Sequence, residues 1–196
     1  VKTIKINYNK PRKQEIGLIA GFLQEGKVIA YPTDTIYGLG CKADDKKAIN
    51  RIYKIKKREK NKPLLVLISD FKMLRQYFKV DKKQETYLRK IWPGKVSVIL
   101  DKKELLPDSL SAKKSSLGVR LPKSEFLTKM IKEVGVPLVS TSLNPSGAEP
   151  LADVKNLASH FTENRIDLII DAGKRKGKSS KLIDLRDLKN IKVLRK

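Results

Sequence analysis

The segment Val28-Ile29-Ala30-Tyr31-Pro32-Thr33-Asp34-Thr35-Ile36-Tyr37-Gly38-Leu39-Gly40-Cys41 decides the fold class. Its first four residues form an unbroken apolar run, as a strand buried on both faces requires. Pro32 ends that run, and Thr33-Asp34-Thr35 makes a polar loop. Ile36 to Cys41 is a second extended segment that carries two glycines. Upstream, Pro11 opens a helical pattern that sets Ile16, Ile19, Ala20 and Leu23 on one face, and Gly26 closes it. Downstream, Asp44 or Asp45 caps a helix bearing Ala48, Ile49, Ile52, Tyr53 and Lys56. A buried strand between two amphipathic helices predicts an α/β fold: a single-domain twisted mixed sheet with flanking helices, spanning residues 1–196.

The remaining chain fits that class. Strands are expected at 4–8, 63–68, 96–100, 118–121, 137–141, 167–171, 181–185 and 191–195. Helices are expected near 71–78 and 82–91, through Phe126 to Val134, and from Asp153 to about His160. Trp92-Pro93-Gly94 is a turn, and 101–116 and 142–150 read as loops. There is no internal repeat or low-complexity tract.

The 196 residues contain 44 Lys and Arg against 21 Asp and Glu, a net charge of +23. Such an excess invites a polyanionic partner, but 34 of the cations are Lys, a point charge without the planar fork of Arg. No apolar run approaches the ~18 residues of a membrane span, and the N-terminus has no signal-peptide core. A single cysteine, Cys41, excludes an internal disulfide and fits a cytoplasmic protein. With one Cys and one His, His160, no structural zinc shell can be filled, and no protein metal site is expected. Cys41 reads as a small core residue and His160 as a surface or capping residue.

Two motifs are decoys. Gly173 to Ser179 resembles a phosphate-binding loop, but it is one residue short and a strand pattern follows where a helix is needed. Gly38-Leu39-Gly40 lies too far past its strand for a dinucleotide turn. These glycines fit close backbone packing or backbone approach to a ligand.

Four other segments place polar or cationic residues at the ends of apolar elements: Pro32 to Thr35, Lys56 to Lys62, Ser116 to Arg120, and Ser140 to Asn144. Ligands of open α/β sheets bind at strand ends. Ser140, Ser142 and Asn144 alternate and so point one way in an extended chain. Nearby Lys and Arg can neutralise phosphate oxygens. The pattern fits a pocket for a nucleotide or another small anion, and equally a hydroxyl-rich loop beside an ordinary basic face.

At these residues the chain resembles the YrdC family, over about residues 11–195. The matching pieces are Val28 to Gly40, Lys56-x-Arg58, Trp92-Pro93-Gly94, Val119 to Pro122, Ser142-x-Asn144 with Ser146-Gly147, Ile183-Asp184-Leu185 and Val193 to Arg195. The resemblance implies a YrdC-like domain and a threonylcarbamoyl-AMP synthase, which condenses L-threonine, bicarbonate and ATP and releases pyrophosphate, for threonylcarbamoyladenosine in tRNA. It implies catalytic roles for Lys56, Arg58, Ser142 and Asn144, and threonine contacts from Thr33, Arg120 and Ser180. Nucleotide contacts fall to Lys56, Arg58, Lys62, Ser116, Ser140, Ser142, Asn144 and Arg195. Magnesium comes with ATP, and tRNA threonylcarbamoyl-transferase proteins are the expected downstream partners. Glu59, Lys62, Leu67 and Lys181 depart from the family pattern. The alternative is a protein of the same fold that binds double-stranded RNA or tRNA through its basic surface, without synthase activity.

Overall fold

The computed structural model describes residues 1–155, 157, 161, 166–175 and 177–196. Its strands are β1 (Lys2–Lys5), β2 (Ile29–Tyr31), β3 (Gly38–Gly40), β4 (Leu65–Leu67), β5 (Val96–Asp101), β6 (Ser116–Arg120), β7 (Leu138–Ser142), β8 (Leu168–Asp171), β9 (Lys181–Asp184) and β10 (Lys192–Arg195). Its helices are α1 (Lys13–Gln24), α2 (Lys46–Ile55), α3 (Phe71–Tyr77), α4 (Lys82–Ile91), α5 (Asp108–Ser111) and α6 (Glu125–Val134). The strands form one sheet in the order β1-β8-β2-β3-β7-β4-β6-β5-β9-β10. Parallel pairs (β1 with β8, β8 with β2, β4 with β6, β5 with β9) mix with antiparallel ones, so the expected mixed α/β sheet is what forms.

Register divides this sheet into two unlike faces. Tyr31 lies opposite Gly38, and Gly38 opposite Ser142. Ser140 lies opposite Leu65, Leu65 opposite Gly118, and Gly118 opposite Ile99. Directly opposed residues share a face, so these side chains point one way. Ala30, Leu39, Val139, Val66, Val119 and Val98 point the other way, and all six are fully buried. They share one core with the apolar stripes of α1, α2 and α6. Burying a side chain of that size is worth about 1.5–3 kcal/mol, so this face holds the fold together.

Local chemistry sets the helix ends. Asp45, not Asp44, caps α2 by accepting from the Lys47 and Ala48 amides, each at 2.9 Å. Asp70, Asp81 and Ser124 cap α3, α4 and α6 in the same way. At the far end of α2, Lys57 takes a left-handed φ of 50°, and the Arg58 amide returns to Tyr53 O at 2.9 Å. This closure turns the chain between Lys56 and Arg58, so the two cations leave the helix in different directions.

Several boundaries differ from expectation. The first strand is Lys2–Lys5, because pairing with β8 ends at Asp171 and leaves Ile6 and Tyr8 beyond the ladder. The expected loop 101–116 contains α5 and gives Ser116 to β6, where Ser116 pairs with Asp101. Half of the helix expected from Asp153 to His160, His160 included, lies outside the described residues. Cys41 is fully buried, and burial pushes its thiol up, as a core cysteine requires.

Candidate active site

The polar face of the sheet carries a cavity of about 410 Å³ over β3, β7, β4, β6, β5 and β9. Of the expected residues, Thr33, Arg58, Arg120, Ser140, Ser142, Ser180 and Arg195 line it. Gly38 and Gly118 form part of the floor, where any larger residue would fill the space. The site therefore lies across a sheet face rather than in a crevice at the strand ends.

Gly38 and Gly40 have a second task. A Cβ on Gly40 would stand 2.5 Å from Val139 O and 2.7 Å from Cε1 of Tyr31, and one on Gly38 would stand 3.2 Å from Cζ of Tyr31. The glycines clear a path for the Tyr31 ring across β3. Its hydroxyl thereby donates to Ser140 Oγ on β7 at 2.8 Å, and the Ser140 proton is left to point elsewhere. Burial pushes the Tyr31 phenol well up, so it remains a neutral donor.

Lys56 is only 2% exposed and does not line the cavity. Its Nζ donates to Ser142 O, to Asn144 O at 2.7 Å and to Asn144 Oδ1 at 3.2 Å. Asn144 Nδ2 donates to Pro145 O at 2.9 Å and Ala148 O at 2.6 Å, and the Ser146 amide donates to Lys56 O at 2.8 Å. Lys56 and Asn144 thus clamp the loop after β7 from behind, and Asn144 does not continue the Ser140–Ser142 row into the cavity. Burial, then the Arg58 guanidinium, lowers the Lys56 ammonium to about 7, while the three carbonyl oxygens act in the opposite sense. Arg58 itself reaches the cavity while donating to Lys62 O at 3.2 Å and Pro63 O at 2.9 Å.

Arg120 and Asp34 form a buried ion pair, 2.7 and 2.8 Å from one guanidinium nitrogen to the two carboxylate oxygens, with side-chain exposures of 4% and 7%. Among the described residues Arg120 Nε is buried and has no hydrogen-bond partner. A buried donor left free beside a cavity is a mark of a missing acceptor. Ser180 Oγ bonds Ser97 Oγ at 2.7 Å, and Arg195 donates to Ser180 O at 2.9 Å and to its Oγ at 3.3 Å. Burial, then Arg120, lowers the Arg195 pKa. Thr33 reaches the cavity, but its hydroxyl closes its own loop, donating to Ile36 O at 2.5 Å and accepting from the Thr35 amide at 3.0 Å.

Two expected nucleotide contacts stand apart. Lys62 pairs with Glu59 at 2.9 Å on the surface, so two of the departures from the family pattern neutralise each other. Ser116 is buried at the start of β6 and does not line the cavity. Leu67 is likewise buried off the cavity, and Lys181 is exposed. Thr35, at the end of the singled-out segment Pro32 to Thr35, also lines it, whereas sequence reasoning missed Tyr37, Leu65, Lys114 and Ser179. Tyr37 was legible only as an apolar residue, yet it fixes the opposite wall by donating to Gly173 O at 2.8 Å. The signal for Leu65 was its strand period relative to Val66; Lys114 carried none.

The site defines a class: a concave sheet face with three arginines and several hydroxyls, built for a multiply charged small molecule. The family profile Sua5/YciO/YrdC, described as "Telomere recombination", matches residues 21–196, and the chain belongs to this family. It is 34% identical over 188 residues to a protein named threonylcarbamoyl-AMP synthase from Pyrococcus abyssi, covering 94% of this chain and 55% of that one. The crystal structure of Sua5 from the same organism, complexed with L-threonine, superposes with a TM-score of 0.91 at 31% identity over 100% of this chain and 57% of that one. Escherichia coli YciO superposes with a TM-score of 0.90 at 29% identity, over 100% of this chain and 95% of that one. The chain thus spans a little over half of the Pyrococcus protein and nearly all of YciO. Among the described residues no helix is long and apolar enough to cross a membrane, and no three His, Cys, Asp or Glu are grouped to hold a metal.

Proposed function

We propose that the protein is a threonylcarbamoyl-AMP synthase. The observation that carries this reading is the convergence of Arg58, Arg120 and Arg195 with Ser140 and Ser142 on one glycine-floored cavity. The substrates are L-threonine, bicarbonate and magnesium-ATP, the ion held by phosphate oxygens and water. The threonine amine attacks bicarbonate carbon to give a carbamate and water. A carbamate oxygen then attacks the α-phosphorus of ATP, and the bond to the β-phosphate oxygen breaks to release pyrophosphate. No step needs a strong base from the protein; orientation and neutralisation of negative charge suffice.

The roles follow from position. Arg120 holds the threonine carboxylate through the nitrogens that Asp34 does not occupy, and Thr33 and Ser180 border that end. Arg58, Arg195, Ser140 and Ser142 hold phosphate and carbamate oxygens. Lys56 and Asn144 keep the Ser142 segment in place. Lys62 and Ser116 are at most peripheral to the nucleotide. The product serves threonylcarbamoyladenosine formation in tRNA, with a cytoplasmic tRNA threonylcarbamoyl-transferase taking it next. Pyrophosphate release measured with each substrate omitted in turn tests the reading. Release is expected only when all three are present; equal release without threonine overturns it.

A further inference from the structure

A second cavity, of about 470 Å³, shares Thr33 and Thr35 with the first. Lys95, Lys123, Lys174 and Arg175 line it against a single acid, Asp34, which the Arg120 ion pair already occupies. Asp34 also accepts the Lys123 amide at 3.2 Å. The four cations therefore face a cavity with no free counter-charge among the described residues that line it.

Arg175 is held in place. Its guanidinium carbon lies 3.6 Å from the centroid of the Tyr8 ring, and Tyr8 leans on Phe126 with ring centroids 5.7 Å apart. Stacking fixes the plane of the fork and leaves its N–H groups for an acceptor. Among the described residues, Arg175 Nε and one terminal nitrogen are buried without a hydrogen-bond partner. Unmatched buried donors beside unmatched lysines call for an oxyanion.

The loop that supplies Lys174 and Arg175 also borders the first cavity. Gly177 lies so close to Thr35 that an added Cβ would overlap the Thr35 carbonyl, and Ser179 and Ser180 line the first cavity. One loop and one shared wall, Thr33–Thr35, thus join the two cavities.

We propose that the second cavity is an oxyanion site separate from the first, which takes a compact phosphate-type anion such as pyrophosphate or the polyphosphate end of a nucleotide. A compact anion fits better than a nucleic-acid backbone, because the cations converge on a recess instead of spreading along a surface. The inference does not depend on the synthase reading.

Isothermal titration with inorganic pyrophosphate, without metal, tests it on the wild type, on the double variant Lys123→Gln/Lys174→Gln and on Arg58→Ala. Both lysines are exposed, so the double variant keeps the fold. The second site should weaken roughly a hundredfold in the double variant, as expected for losing two charge-assisted contacts, and should persist in Arg58→Ala. Pyrophosphate binding that is the same in the wild type and the double variant overturns the proposal. So does a double variant that loses affinity for a short RNA duplex while its pyrophosphate binding is unchanged. Loss of a site in Arg58→Ala alone would instead support the first cavity and contradict the second. ATP titrated in parallel separates the two sources: binding lost in the double variant for pyrophosphate and not for ATP assigns the free anion.

Discussion

The two faces of one sheet carry opposite chemistry on alternating residues of the same strands. On β7, Val139 is fully buried in the aliphatic core, while its neighbour Ser140 borders the cavity. On β6, Val119 faces the core while Gly118 and Arg120 face the cavity. The aliphatic face supplies stability, and the other face spends part of it on glycines, buried hydroxyls and a buried ion pair. Substitutions on the two faces should therefore separate stability from activity.

The largest stability effect is expected where the polar face is most deeply buried. Asp34→Ala leaves the Arg120 charge unpaired and should cost about 3–5 kcal/mol in denaturant unfolding. An unchanged midpoint would show that Arg120 finds another partner. On the opposite face, Leu39→Ala should cost about 2–5 kcal/mol yet leave turnover per folded molecule near the wild-type value. A loss of turnover at full folding would break the division between the faces.

Lys56 gives a pH signature. Its pKa is lowered from 10.5 to about 7 in the folded state, so between those values the unfolded chain binds more protons. Stability should accordingly rise with pH across that window. The slope should flatten in Lys56→Met; a wild-type curve that is flat across this window and falls only above 10.5 would mean that the three carbonyl oxygens outweigh burial.

Smaller effects sharpen the picture. Tyr31→Phe removes the bond to Ser140 and should cost about 1 kcal/mol, with a several-fold loss in kcat/KM that Ser140→Ala does not add to. Full additivity would mean that Tyr31 does not act through Ser140. Lys57→Gly relieves a left-handed backbone and should raise stability by about 0.5 kcal/mol.

Much of this was legible in the sequence. The run 28–31, the cap at Asp44 or Asp45 and the stripe from Phe126 to Val134 state their elements through period and capping alone. Seven of the expected site residues also line the cavity, because alternation along a strand fixes which side chains share a face. What escaped depends on contacts distant in sequence. The order of ten strands brings Leu65 and Lys114 to the site, and no local pattern encodes that order. Lys56 shows the same limit: its residue type suggested a phosphate ligand, but its depth turns it into a clamp on the Ser142–Asn144 segment. Nor could spacing reveal that Gly38 and Gly40 make room for the Tyr31 ring.

The most direct test of the division between the faces is threonine-dependent pyrophosphate release by Arg58→Ala, measured beside its thermal midpoint. Arg58 reaches the cavity from a loop and contributes nothing to the aliphatic core. Its loss should lower kcat/KM by about 100-fold or more while the midpoint moves by no more than a surface substitution allows. Wild-type turnover in a folded Arg58→Ala protein would contradict the assignment of this face to catalysis.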